Sequence, residues 1–448
     1  MVSAYSQIHL TAQERLVSLL GRVRILRGRK YPSPLCYRLL STVETGLSES
    51  LDRLREEAQS SPDDTGIDSV LFRQSQFCLS FANKIEGDIL PIIDRANNSE
   101  DIAPWVLPIT YLVSQVVPDV DILFSRHPKM NYHAIPRMGS QYLKKLFIPA
   151  TTPAAAAQTP DDFALIEMYS DPPAGSLGQA LVAHEVGHII SDSHRLVDNV
   201  ASTIDDSSEW TDFVTSFAQD STQLRVWLEE FICDLLATCL FGPAYLFAAM
   251  AFSSSYLPVI DSGNQLPGHP PWQLRYLIIA GTLVGTSGLG FDQINPIILK
   301  ENTINPADII QTWFSHARDW SNLPPGGRQD KLFAVIRRGL PEALRLAKVA
   351  CGAAVYGRSM FDSEVSMLCQ RMVNGLPPNE IEEWDEGNRS WAMKIPYLAS
   401  VLNAGWMYFL SFGPTNNPGN QWDVQELRRF NGLITSALDY IELRRSWK

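Results

Sequence analysis

Histidine is scarce in this chain, 8 among 448 residues, and cysteine is scarcer, with 6 and no two of them at Cys-x-x-Cys spacing. The thiols therefore offer no support for a disulfide framework or a paired cysteine metal site. Cys36, Cys78, Cys233, Cys239, Cys351 and Cys369 lie mostly within apolar segments and read as reduced core thiols, which points to an intracellular, cytoplasmic protein. Positive charge is also short. With 37 Lys and Arg against 49 Asp and Glu, the net charge of −12 argues against a nucleic-acid-binding role. One local basic run, Arg22, Arg24, Arg27, Arg29 and Lys30, reads as a solvated helix face. The start of the chain, Met1 to Arg15, shows no positively charged segment followed by an apolar run, so export is not expected. The one long apolar stretch, Leu235 to Ile260, is interrupted by Gly242-Pro243 and by Ser253-Ser254-Ser255. Its expected form is a buried helix bent or broken near Pro243, and not a membrane span. No internal repeat is visible. What is present is enough apolar material, 45%, for two or three cores.

Against so few histidines, two stand four apart in His184-Glu185-Val186-Gly187-His188. On a helix, positions i and i+4 share a face, so both imidazoles can reach one cation, while Glu185 is turned about 100° away, toward a metal-bound water. Helical spacing of Leu177, Ala180, Leu181, His184, His188 and Ile190 supports the helix, and Ser176 can cap it after Pro172, Pro173 and Gly175. Phe163 to Tyr169 reads as a strand ahead of it. Gly187 costs about 1 kcal/mol against Ala within a helix, and a close approach of another backbone is one reason to keep it.

A catalytic zinc wants three protein ligands and an open position, so a third ligand must come from elsewhere. Glu230 is one candidate, four residues before Asp234 on an expected helix, a spacing at which Asp234 can hold a ligand imidazole in its tautomer. His194 is the other, ten residues after His184. That arrangement needs a glycine where this chain has Ser191, because the helix must end sharply there. Asp192 and Ser193 look like an ordinary polar helix exit, so Glu230 is preferred and His194 is expected to be solvated. Downstream, Gly268-His269-Pro270-Pro271 is followed by Arg275. The prolines fix an extended backbone that would hold His269 at a cleft mouth, where it can donate to an oxyanion.

His184-Glu185-x-x-His188, Glu230-x-x-x-Asp234 and His269-Pro270, in that order, resemble the gluzincin metallopeptidases, particularly those in which a His-Pro step follows the glutamate helix, such as the prenyl-protein endopeptidase group. The resemblance spans roughly residues 160 to 275. It implies a zinc site with His184, His188 and Glu230 as ligands, Glu185 as general base, and Asp234 behind a ligand imidazole. The pattern departs from the family at Cys233, where a small residue is common, and at Gly268, where a hydroxyl residue is usual. The acidic stretch Asn199 to Gln223 is expected to be a lid or a solvated connection.

The expected architecture is α+β and predominantly α-helical: a zincin-like catalytic core with a small antiparallel sheet and flanking helical regions. Residues 1–104 form an N-terminal helical region, with helices over Ala12 to Gly28 and Ser41 to Ala58. Residues 105–322 carry the core. Its strands are expected among Asp121 to Phe124, Tyr142 to Ile148 and Phe163 to Tyr169, with an exposed loop over Pro149 to Pro160. Residues 323–448 form a C-terminal bundle divided by loops at Asn322 to Gln329, Gly375 to Asn388 and Gly413 to Gln421, ending in the amphipathic Val424 to Arg445. The function expected is hydrolysis of a protein or peptide substrate, with a regulatory protein partner possible. The alternative from another class is a non-hydrolytic scaffold with a structural or vestigial zinc site.

Overall fold

The computed structural model describes residues 4–29, 31, 34–59, 65–97, 112–127, 133–135, 163–169, 175–205, 207–217, 222–253, 269–285, 287–299, 302–321, 323, 325–412 and 424–446. Helix predominates, as expected. Contacts divide the chain into two compact units, residues 1–103 with 118–170, and residues 104–117 with 171–448. The division differs from the three blocks read along the sequence. The strand segments group with the N-terminal helices, and no boundary falls near residue 322.

In the first unit, α1 (Ala4–Arg27), α2 (Pro34–Gln59) and α3 (Thr65–Lys84) pack on one another, and a π-helical turn at Ile85–Ile89 leads into α4 (Leu90–Asn97). Helical spacing sends Leu16, Leu19, Val23, Leu39, Val43 and Leu47 into a shared core with Phe81 and Ile85. The basic run of α1 is not an unpaired face. Arg22 meets Glu86 and Asp94 at 3.4 Å each, Arg24 and Arg27 both pair with Glu44, and Arg29 lies 3.8 Å from Asp94. Acids from the neighbouring helices neutralise it, at the small energies of exposed pairs.

The strands of this unit correct one expectation. β1 (Asp121–His127) pairs in parallel with β3 (Phe163–Tyr169), and β2 (His133–Ile135) pairs antiparallel with β3. The sheet is mixed, not antiparallel, because a long connection joins its two main strands and no tight hairpin constrains their direction. The expected strand at Tyr142 to Ile148 and the expected loop at Pro149 to Pro160 lie outside the described residues.

The second unit is built around a buried central helix, Thr222–Phe241. A 3₁₀ segment, Gly175–Leu181, feeds α5 (Val182–Ser193), so the regular helix starts later than a cap at Ser176 predicts. There follow α6 (Leu196–Ile204), α7 (Ser208–Phe217), α8 (Thr222–Phe241), α9 (Pro243–Ser253) and α10 (Trp272–Leu283). Helix α8 contacts α5, α6, α9 and α10 and is buried at 15 positions, a core helix that is apolar on nearly every side. It ends where expected: Gly242 takes φ +57, a left-handed turn that separates α8 from α9. Among the described residues no helix is long and apolar enough to cross a membrane.

The acidic stretch after the motif helix is helical over most of its described length, and its residues 206 and 218–221 lie outside the described residues. It forms α6 and α7, and both pack on α12 (Arg328–Cys351). Lys331 reaches Asp212 at 2.9 Å and Arg338 reaches Glu209 at 2.6 Å, so two of its carboxylates meet cations of the later helix. Gly339 makes the contact possible, since a Cβ there would stand 2.7 Å from Ile204 and 2.8 Å from Val200. Between α10 and α12 run the hairpin β4 (Ile297–Leu299) and β5 (Asn302–Ile304) and helix α11 (Pro306–Trp320). Helix α13 (Arg358–Val373) leads to a second hairpin, β6 (Ile381–Asp385) and β7 (Ser390–Lys394), where a loop was expected over Gly375 to Asn388. Trp384 faces Trp391 across it with ring centroids 5.7 Å apart, a cross-strand pair of the kind that stabilises hairpins. Helices α14 (Leu398–Phe412) and α15 (Val424–Ser446) complete the unit, and the expected loop at Gly413 to Gln421 lies outside the described residues. All six cysteines are buried and unpaired, as expected.

Candidate metal centre

The site begins with a helix crossing. Helices α5 and α8 meet at Gly187 and Cys233, where an added Cβ on Gly187 would stand 2.9 Å from the Cys233 Cα and 3.1 Å from its carbonyl oxygen. Only a residue without a side chain allows that approach, which accounts for a glycine inside the motif. The crossing places His184 and His188, one turn apart on α5, opposite Glu229, Glu230 and Asp234 on α8.

Each imidazole meets a carboxylate at Nδ1, and that of His184 also lies 3.1 Å from an Arg275 nitrogen and 3.4 Å from the Tyr245 hydroxyl. The His184 Nδ1 lies 3.0 Å from the Asp234 carboxylate, and the His188 Nδ1 lies 3.0 Å from the Glu229 carboxylate. A carboxylate at Nδ1 selects the tautomer with the proton there and leaves the Nε2 lone pair free, the usual arrangement behind metal-bound histidines. Both Nε2 atoms then face Glu230, at 3.3 Å for His184 and 3.8 Å for His188. One ligand atom from each of His184, His188 and Glu230 falls within 4.8 Å of the others, and these three residues form a group that can hold a metal ion. Two imidazole nitrogens and one carboxylate oxygen are a donor set that would suit a borderline divalent cation.

Asp234 is the hub behind the ligands. It is fully buried and accepts a 2.6 Å hydrogen bond from the Tyr245 hydroxyl and two from Arg275, at 2.8 Å from Nε and 2.7 Å from a terminal nitrogen. The buried Arg275 guanidinium also lies 3.5 Å from Glu230 and 4.2 Å from the centre of the Trp272 ring. Glu229, Glu230 and Asp234, with Glu185 beside them, carry four carboxylates against one guanidinium. That surplus suits a divalent cation.

Proton affinities follow from this crowding. Burial alone would raise the Glu230 carboxyl, but hydrogen bonds from His184 and His269 and the Arg275 charge outweigh it and hold the group far below the usual carboxylate range. Burial and the Arg275 charge oppose protonation of His184, yet Asp234 and Glu230 prevail and push it up to about 9. Metal binding at the His184 Nε2 would therefore have to displace a proton.

His269 lies three residues before the start of α10. Pro271, at φ −56 and ψ 140, is the extended residue from which that helix starts, and its carbonyl accepts the Leu274 and Arg275 amides at 3.0 and 3.2 Å. The His269 side chain is 75% exposed, with Nδ1 3.1 Å from a Glu230 oxygen, and its Nε2 makes no hydrogen bond to a described residue. Glu185 is buried, one residue from His184, and its carboxylate has no hydrogen-bond or ion-pair partner among the described residues. His194 is not brought to the group. It caps the C-terminus of α5, exposed, with its amide bonded to the Ile190 carbonyl at 3.0 Å, and Arg195 takes the left-handed turn at φ 51. Ser191 stays helical, as expected in the absence of glycine.

Sequence reading missed the roles of Glu229, Tyr245 and Arg275. Glu229 had a signal, a second acid beside Glu230 and four residues before Cys233 on a buried helix. Arg275 had a weaker one, an arginine within the apolar Trp272-Gln273-Leu274-Arg275-Tyr276-Leu277 run. Tyr245 had none. Compared with known family models, with curated proteins and with solved structures, the chain matches none.

Proposed function

We propose that this chain is a zinc-dependent metallopeptidase of gluzincin type, hydrolysing peptide bonds of a protein substrate. The observation that carries the reading is the paired orientation of His184 and His188, each with a carboxylate on Nδ1 and Nε2 turned to Glu230. A structural zinc site closes with four protein ligands, whereas the group here offers three. Zinc held by that trio would supply Lewis acidity and a water with its pKa lowered to about 7.

The chain's own residues would do the rest. Glu185 adjoins a ligand without being one of the trio, and its unengaged carboxylate suits a general base that takes a proton from the attacking water and returns it to the leaving amine. His269, anchored through Nδ1 by Glu230, keeps Nε2 available to donate to the oxyanion that develops on the scissile carbonyl. Asp234, Arg275 and Tyr245 fix His184 in place, and Glu229 fixes His188, so the ligands are preorganised.

The test compares cleavage products across a proteome for the wild-type chain and for Glu185→Gln, with metal content measured on both. The expected result is equal zinc and at least about a hundredfold slower cleavage in the variant, the usual scale for a lost general base. Unchanged cleavage would remove Glu185 from the mechanism, and loss of zinc would make it a ligand.

A further inference from the structure

A second candidate site is lined in part by α8, the helix that carries Glu230 and Asp234. Between α8, α10, α11 and α12 opens a groove of about 930 Å³. That volume lies within the range of single small-molecule sites, roughly 300–1,000 Å³. Its floor is apolar: Leu235 from α8, Leu277 from α10, Phe314 from α11, and Phe333, Leu340 and Leu344 from α12.

The rim is cationic. Arg318, Arg337, Arg345 and Lys348 line it with Asp330 the one acid among the lining residues, although the chain as a whole carries a net charge of −12. Two of these cations are engaged. Arg345 binds Glu342 at 2.6 Å, and Lys348 donates to the carbonyls of Ser287 and Gly288 at 3.2 and 2.8 Å. Asp330 is occupied too, accepting the Gly326 amide at 2.9 Å. The guanidinium groups of Arg318 and Arg337 have no hydrogen bond or ion pair among the described residues, and the Arg318 carbonyl accepts from the Ser321 hydroxyl at 2.9 Å. They come from different helices, α11 and α12, and both border the same cavity. A guanidinium presents a planar fork that fits a carboxylate.

We propose that this groove binds a single-chain amphiphilic anion, a fatty acid, with its acyl chain on the apolar floor and its carboxylate between Arg318 and Arg337. A hydrophilic anion would leave the floor unused, and a neutral alkane would leave the two arginines unpaired. A volume suited to one small molecule favours one chain over a two-chain lipid. The proposal is independent of the metal-centre reading.

The experiment is calorimetric titration of the full chain with dodecanoate below its micellar concentration, with dodecanol, dodecyl phosphate and acetate as companions. Dodecanoate should bind one site per chain, and dodecanol and acetate at least about tenfold more weakly, because a charge-assisted hydrogen bond or the apolar contact is lost. Arg318→Gln with Arg337→Gln, both exposed and unpartnered, should weaken dodecanoate at least about tenfold while leaving the thermal unfolding midpoint and zinc content unchanged. Leu340→Glu, a carboxylate set in the floor, should weaken it similarly. Dodecanol binding as tightly as dodecanoate, dodecyl phosphate binding far more tightly, or the double variant binding like the wild type would each overturn the assignment, as would absence of dodecanoate binding.

Discussion

Gly187→Ala is the sharpest test of the helix crossing. In an open helix this change stabilises by about 1 kcal/mol, because alanine has the higher propensity. At Gly187 the new methyl would meet the Cys233 Cα at 2.9 Å, its Cβ at 3.1 Å and its carbonyl oxygen at 3.1 Å. Two of those three atoms are backbone of a fully buried helix, so no rotamer change can clear them, and α5 must move away from α8. Forcing a methyl into such a contact costs typically 1–3 kcal/mol and more where backbone must shift. Set against the propensity gain, the net expectation is a loss of about 1–2 kcal/mol, seen as a fall of about 2–6 °C in the unfolding midpoint. The same movement carries His184 and His188 away from Glu229, Glu230 and Asp234, so zinc affinity should fall at least about tenfold. Cys233→Gly in the same chain should not rescue it, since the Cα and carbonyl remain. Gly21→Ala, in α1 with nothing within 4 Å of the added Cβ, serves as the control and should raise stability. The reasoning fails if Gly187→Ala melts at or above the wild-type temperature with unchanged zinc affinity.

Three further outcomes follow from the same geometry. Purified protein should carry about one zinc per chain by elemental analysis, lost in His184→Ala, His188→Ala and Glu230→Ala and retained in His194→Ala; the reverse pattern for Glu230 and His194 would replace the gluzincin assignment with a metzincin-like one. Asp234→Ala and Glu229→Ala should each weaken zinc binding by about ten to a hundredfold, since each removes the acceptor at one imidazole Nδ1; a metal titration in which only one matters would show that the two histidines are not held alike. Arg275→Met should destabilise the metal-free protein by about 3–5 kcal/mol, because it strips the cation from two buried carboxylates, and added zinc should restore part of that loss; a midpoint unmoved by the substitution would refute the charge argument.

Much of the candidate centre could be read from residue spacing because a helix repeats every 3.6 residues. His184 with His188, and Glu230 with Asp234, need only that period to share a face, and Ser191 in place of glycine is enough to keep His194 from turning back. The break at Gly242-Pro243 and the burial of six unpaired thiols were likewise local matters of backbone freedom and apolar context. What lay beyond the sequence depended on which elements meet. Tyr245 and Arg275 reach Asp234 across 11 and 41 residues, and no periodicity relates positions on separate helices. The acidic stretch after the motif looked like a solvated connection because its partners, Lys331 and Arg338, lie more than a hundred residues later. The parallel pairing of β1 with β3 was hidden for the same reason, as direction is free once the connection is long. The cationic groove gathers residues from four helices, so it exists only after folding. Sequence alone determined the faces each helix presents, since those follow from the backbone's own geometry, and tertiary structure decided which faces meet, since burial rewards complementary surfaces whatever their separation along the chain.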